Sequence, residues 1–345
     1  MSTPAATSPC PDHGRTPAES SSAGDASPDV DQAPAAYRPR PDSATGGGPA
    51  PLAAREATEE KSGRKRRLEF PPAPESLPVP VVDNHTHLDF RDGLVRVSVH
   101  EAMDAAQAVG VRGAVQVGCN VEAARFTVEA IEAEPRLLGA VAIHPNDAAR
   151  LAETAELETA LATIAELAEH PRVRAVGETG LDYFRTGESG RAAQHESFRW
   201  HIRLARRLGK ALQIHDRDAH DDVVRILLEE EEDGGLPPHV VFHCFSGGPE
   251  LAHTCNEHGW MTSFAGPVTF KANDALREAL ALVREDLILV ETDAPFLTPH
   301  PFRGRPNAPY LVPHTLRLMA QVRGVGVDEL ARRIDENTAR VYGEF

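Results

Sequence analysis

From Val79 onward, short runs of Val, Ile, Leu and Ala alternate with longer stretches in which apolar residues recur at helical spacing. Short apolar runs bounded by Gly, Pro, Asn or Asp read as buried strands. Eight such runs occur, at residues 79–83, 113–117, 138–143, 173–177, 211–214, 240–243, 260–264 and 287–291. Between them, sets such as Val223, Ile226 and Leu227, or Phe198, Ile202, Leu204 and Ala205, place an apolar face along one side of a helix. A β-α unit repeated eight times in about 250 residues predicts an α/β fold of the closed (β/α)8 TIM-barrel type. An open doubly wound sheet is the rival, but its glycine-rich turn after the first strand is absent.

The pattern stops upstream. Residues 1–70 hold seven large apolar or sulfur-bearing residues (Met1, Cys10, Val30, Tyr37, Leu52, Leu68 and Phe70) among Pro, Ala, Ser, Gly and Asp. At about 1–2 kcal/mol of backbone entropy per ordered residue, so few apolar groups do not sustain a core. The expectation is a disordered N-terminal extension over 1–74 and a barrel over 75–345. A basic cluster in the extension, Lys61, Arg64, Lys65, Arg66 and Arg67, reads as a solvated linker in preference to a nucleic-acid contact.

Charge and cysteines then narrow the class. The 345-residue chain carries 36 Lys plus Arg against 52 Asp plus Glu, a net charge of −16, nearly all of it in the barrel. An acidic body argues against broad binding to duplex DNA, because basic phosphate-neutralising surfaces supply most of that affinity. Four cysteines without a CxxC pair form no disulfide framework, and Cys119, Cys244 and Cys255 read as small core residues. No apolar run is long enough for a membrane span and the first thirty residues have no export signal, so no membrane partner and a cytoplasmic location are expected.

A parallel barrel builds its site at the C-terminal ends of its strands. Strand 1 runs into Asp83-Asn84-His85-Thr86-His87, and in extended backbone residues two apart point the same way, so His85 and His87 reach toward one point. Strand 4 ends in Gly177-Glu178-Thr179-Gly180, strand 5 at His215, strand 6 at His243, and strand 8 runs into Glu291-Thr292-Asp293. Singly, each residue reads equally well as a hydrogen-bonded structural group. Jointly, four imidazoles and two carboxylates on one rim are a metal-ligand set: His85, His87, Glu178, His215, His243 and Asp293. Six ligands exceed the four of a tetrahedral Zn²⁺, which implies two divalent cations, Zn, Mn or Mg, and an anionic group between them. The body's lysines, Lys210 and Lys271, are not on strand 4, which leaves Glu178 as the bridge.

With these residues in place the sequence resembles the TatD family of metal-dependent hydrolases, over roughly residues 79–343. The resemblance rests on DNHTHLD (83–89), AIHPND (142–147), VGETGLDYFR (176–185), QIHDRDA (213–219), VFHCFSGG (241–248), TSFAGPVTFK (262–271) and VETDAPFLTP (290–299). It implies one metal on His85, His87 and Asp293, a second on His215 and His243, and Glu178 shared. One departure stands at Pro306 and Ala308, where the family commonly shows Arg and Glu.

The resemblance also implies deoxyribonuclease activity, with DNA ends or short oligonucleotides as substrate. Catalytic roles then fall to Asp293, which orients or deprotonates the attacking water, and to Glu178. His144, Arg185, Arg217, Arg303 and Arg305 stand on the rim as phosphate contacts, and a stacking wall is available from Tyr183, Phe184, Phe245 or Phe264. Two alternatives remain open from sequence: a dinuclear deacylase or amidohydrolase acting on an amide or ester, and a non-catalytic adaptor. Metal chemistry alone does not separate the first from a nuclease.

Overall fold

The computed structural model describes residues 32–39, 49, 51–54 and 66–345. Its centre is one sheet of eight parallel strands in sequence order: β1 (Val81–Thr86), β2 (Val111–Gly118), β3 (Leu137–Val141), β4 (Val173–Asp182), β5 (Ala211–Arg217), β6 (Val240–Phe242), β7 (Met261–Phe264) and β8 (Ile288–Val290). All eight expected runs are present. Three extend well past their expected ends, β1 to Thr86, β4 through Glu178 to Asp182 and β5 to Arg217, and each carries its chemistry on that extra length. The strands are almost wholly buried, because the barrel interior covers one face and the helical ring the other.

Helices follow each strand, from α1 (Val99–Gln107) and α2 (Val121–Ala133), through the pair α3 (Pro145–Glu153) and α4 (Leu157–Ala168), to α5 (Glu188–Leu208), α6 (His220–Glu232), α7 (Pro249–His258), α8 (Asp274–Leu282), α9 (Val312–Arg323) and α10 (Val327–Tyr342). Their starts follow capping rules. Ser98 and Glu101 form a reciprocal capping box at α1, and the Asn120 side chain caps α2. The faces expected to be apolar are inward: Val223, Ile226 and Leu227 on α6, and Phe198, Ile202, Leu204 and Ala205 on α5, are buried.

The ring closes between β8 and β1, and the closure is made largely by the segments beyond β8. Asn84 Nδ2 donates to Val290 O (2.8 Å), Thr292 N to Asp83 Oδ1 (2.8 Å), Asp293 N to His85 O (2.9 Å) and His87 N to Ala294 O (2.7 Å). Residues 83–87 and 291–294, two hundred positions apart, are therefore locked in register by backbone hydrogen bonds.

Upstream of the barrel the outcome differs from a tail that stays apart. Tyr37 is buried, its ring 4.6 Å from that of Phe70 and 5.0 Å from that of Tyr310. Arg66, expected to be solvated, is buried and paired bidentately with Asp92 (Nη1–Oδ1 3.1 Å, Nη2–Oδ2 2.5 Å). Tyr310 donates its hydroxyl to Pro71 O (2.6 Å), and Ala53–Ala54 pair in parallel with Phe90–Arg91. These parts of the extension belong to the barrel's wall. A count of apolar residues over seventy positions misses an anchor made of one tyrosine, one phenylalanine and one arginine. Arg67 is exposed, and Lys61, Arg64 and Lys65 fall outside the described residues.

Candidate metal centre

All six proposed ligands meet at the C-terminal mouth. His85 Nε2 lies 3.2 Å from His87 Nε2, and Asp293 Oδ1 lies 3.9 Å from the first and 3.3 Å from the second. Asp293 comes off the closing seam with φ +54°, a left-handed conformation that aspartate tolerates better than most residues. On the far side, His243 Nε2 stands 2.6 Å and His215 Nδ1 3.2 Å from Glu178 Oε2. Glu178 Oε1 instead turns toward His87 Nε2, at 3.6 Å. The two oxygens of one carboxylate thus face two different groups of nitrogens. The rings of His85 and His243 stack between the groups, centroids 3.9 Å apart.

Several of these atoms aim at a shared point and not at each other. His243 Nε2 is within 2.6 Å of a carboxylate oxygen, yet neither ring nitrogen of His243 makes an aligned hydrogen bond, and His85 Nδ1 has no hydrogen-bond partner. Buried polar atoms without aligned partners are costly unless something else satisfies them. A divalent cation does so, and imidazole with carboxylate is the donor set that borderline ions prefer. Three-residue groups able to hold an ion include His85, His87 and Asp293; His85, Glu178 and His243; and His144, Glu178 and His215.

The surrounding hydrogen bonds decide which ring nitrogen is available. His87 Nδ1 faces Val117 O at 3.0 Å, so it carries the proton and leaves the Nε2 lone pair facing Asp293 and Glu178. His215 Nε2 meets Asp182 Oδ2 at 3.3 Å, which leaves Nδ1 beside Glu178. Asp182 is held in turn by Asn146 Nδ2 (3.0 Å) and by the backbone N–H of Arg185 (2.8 Å). His144 is the opposite case. Its Nδ1 accepts the N–H of Asn146 (3.1 Å) at the start of α3, so Nε2 bears the hydrogen and presents a donor. The resulting neutral imidazole is not the cation that a phosphate contact first suggests: burial pushes its pKa down to about 3.

The electrostatics belong to a set of groups that share protons when no cation is present. Burial works to raise Glu178, but the charge of the His243 and His144 imidazoles and the bond from His215 hold it well below the usual carboxylate range. Burial likewise opposes charge on His243, and Glu178 outweighs it and carries the imidazole well above its ordinary value. His87 is driven to about 9, with burial opposed by the bond to Asp293 and the charge of Glu178. His85 is held well below its ordinary value by burial and by His243. Metal binding at such a site expels protons.

The remaining expected contacts separate clearly. Arg217 lies 4.1 Å from the Phe184 ring and Arg303 4.0 Å from the Phe270 ring, while Arg185 and Arg303 are exposed. Arg305 is drawn away from a substrate role, because its Nε and Nη2 donate to the carbonyls of Glu69 (2.9 Å) and Phe70 (2.6 Å). Phe245 and Phe264 are core side chains, not a stacking wall, and the Tyr183 hydroxyl is tied to Asp222 (2.6 Å) and His195 (2.5 Å). Of the four aromatics, Phe184 alone is exposed. Pro306 and Ala308 are buried beside Asn307, whose Nδ2 braces the carbonyls of Thr292 (3.0 Å) and Phe296 (2.6 Å). At these positions the departure from the family pattern serves packing.

Sequence reading missed the supporting acids. Asp83 ties the His85 backbone N–H (3.3 Å) to that of Thr292. Glu291, fully buried, accepts the N–H of Cys244 (2.6 Å) and faces His243 Nδ1 at 3.4 Å. The available signal was their spacing, two residues from a ligand on the same strand end. Cys119 was also missed as a neighbour: its thiol donates to Glu178 Oε1 (3.1 Å).

Residues 82–343 match the family model described as TatD related DNase. A protein of Mycobacterium tuberculosis named as an uncharacterized metal-dependent hydrolase TatD is 42% identical over 267 residues, covering 76% of this chain and 98% of its own. A Citrobacter rodentium protein named as a 3'-5' ssDNA/RNA exonuclease TatD is 32% identical over 251 residues, 70% of this chain and 91% of its own. Among solved structures, that of YjjV, a TatD homolog from Escherichia coli, superposes with a TM-score of 0.69 at 25% identity, covering 77% of this chain and 98% of its own.

Proposed function

Because the chain belongs to the TatD related DNase family and is a metal-dependent hydrolase, we propose that it hydrolyses phosphodiester bonds at the ends of single-stranded DNA. The observation that carries this reading is the divided carboxylate of Glu178, one oxygen toward His87 and the other toward His215 and His243. In this reading His85, His87 and Asp293 would hold one cation and His215 and His243 a second, with Glu178 shared.

Bound divalent cations supply a water that ionises near neutral pH and positive charge for the phosphate oxygens. The side chains do the rest. Asp293 keeps about an eighth of its surface open to the mouth and accepts the proton of the attacking water. His144 donates from Nε2 to a non-bridging oxygen, while Arg185, Arg217 and Arg303 hold flanking phosphates. The water oxygen bonds to phosphorus, the bond to one sugar oxygen breaks, and that oxygen is protonated at the open mouth.

The test is a side-by-side assay on a single-stranded oligonucleotide and on acyl ester and amide substrates, with metal content measured by elemental analysis. Hydrolysis of the strand, lost in Asp293→Asn and Glu178→Gln, is the expected result. Turnover of acyl groups with intact DNA would overturn the substrate assignment.

A further inference from the structure

Two arginines at the mouth sit over phenylalanine rings, and the observations carry this arrangement further than any other outside the candidate metal cluster. Arg217 covers one side of Phe184 at 4.1 Å, and Arg303 covers Phe270 at 4.0 Å. Neither guanidinium has an ion pair or a hydrogen bond among the described residues. Two arginines of the outer shell are placed differently: Arg136 is engaged by Glu134 and Asp104, and Arg225 by Asp222 and Glu229. Even Arg217, flanked in sequence by two aspartates, leaves Asp216 to pair with His220 (2.6 Å).

The placement is set by the fold. Arg217 is the last residue of β5, two positions beyond His215, and Tyr183 N donates to its carbonyl (3.0 Å). Phe184 follows directly, so the pair stands above the contact between His215 and Asp182, about 6–7 Å along the strands from the centre. Arg303 and Phe270 come from the loops after β8 and β7, on another side of the same mouth. Phe184 is 52% exposed, the one exposed aromatic ring among the described residues.

We propose that these two stacks select an unpaired nucleic-acid strand. This rests on the nuclease reading and deepens it. A guanidinium held on a ring keeps its planar N–H fork pre-organised for phosphate oxygens, and its outward face accepts an unstacked base. Duplex bases are buried in their own stack and present no such face. Specificity for single strands then arises from aromatic contacts and not from a basic surface, in agreement with the acidic body of the protein.

The experiment uses the metal-loaded full chain and a fluorescein-labelled phosphorothioate strand, ordinary or with abasic sugars at its last two positions. Anisotropy should give about tenfold tighter binding of the ordinary strand. Phe184→Leu and Arg217→Lys, which keep bulk and charge but lose the stack, should each remove much of that difference, and Phe184→Leu with Phe270→Leu should abolish it. In parallel, the ratio of kcat/KM on an oligonucleotide to that on bis(p-nitrophenyl) phosphate, a diester without bases, should fall about tenfold in each single variant. A wild-type protein that hydrolyses strands yet binds both forms equally would overturn the stacks and leave the nuclease reading standing. Variants that retain the abasic difference would do the same. A wild-type protein that turns over the small diester but neither binds nor cuts strands would overturn both.

Discussion

Glu178 and Asp92 are both buried carboxylates near the mouth of one barrel, and their partners are of opposite kinds. Asp92 meets the guanidinium of Arg66, a cation at any physiological pH, in a two-pronged contact shut away from water. Among the described residues Glu178 meets only groups that exchange protons: His243, His215, His87 and the Cys119 thiol. The first arrangement is a lock, since its guanidinium and carboxylate meet through two parallel hydrogen bonds in a contact closed to water. The second is exchangeable, since each imidazole can release its proton and keep its lone pair aimed at the same point. A permanent partner marks architecture, and a titratable one marks chemistry.

The contrast is broken most severely at Glu178. Glu178→Gln removes the one group that faces both sets of nitrogens, and kcat should fall on the order of 10³-fold or more. Bound metal, measured by elemental analysis, should drop with it. The melting temperature of the metal-free protein should hold or rise, because a buried charge has gone. A variant that unfolds while its residual folded fraction keeps full activity would reverse the roles assigned to the two acids.

Arg66→Met tests the other half. It takes the two-pronged guanidinium away from a buried carboxylate, a loss of about 3–5 kcal/mol of stability by urea unfolding. Adding Asp92→Leu should recover most of it, since well-packed apolar groups replace a buried ion pair at little cost. Metal content should not change in the single variant. If it fell in step with Glu178→Gln, the extension would be part of the metal site and the distinction between the two acids would fail.

The two regions also differ in how far sequence reveals them. The convergence of the candidate ligands was legible because the barrel fixes where chemistry must lie. Once eight strands are recognised, His85, His87, Glu178, His215, His243 and Asp293 fall at strand ends by position alone. The same logic placed Arg217 and Arg303 at the mouth, but not on Phe184 and Phe270, because a side-chain stack depends on loop conformation. Arg66 and Asp92 were illegible for a further reason. One arginine of a basic cluster in a polar extension is indistinguishable from a solvated one until the loop after β1 folds over it. Arg305 was misplaced for the same reason, since the carbonyls that capture it belong to the extension.

Glu291 sharpens the comparison at smaller scale. It is fully buried yet faces His243 Nδ1 and no guanidinium, so it belongs with the exchangeable group. Glu291→Gln should weaken metal affinity by about 10–100-fold, the usual consequence of disturbing the group that orients a ligating imidazole. A competition titration with a chromogenic chelator reads this directly. Unchanged affinity would place Glu291 with the architectural acids.

The mildest test comes from Glu134, an acid of the Asp92 kind on the outer shell. Burial works to raise its pKa, but Arg136, through side chain and backbone N–H, together with His100, brings it from 4.5 down to about 2. A carboxylate whose folded pKa is depressed contributes its full stabilisation above the unfolded value, and loses it as pH falls from about 4.5 toward 2. Because His100 and Asp104 around it are largely exposed, solvent screens the cluster and the contribution is about 1 kcal/mol. Glu134→Gln should therefore be less stable than the parent by that amount at pH 7, with the gap narrowing by pH 3 and metal content equal throughout. A gap that stays constant across this range would mean that the ion pair contributes through packing alone, and permanence of charge would then no longer separate the locks from the ligands.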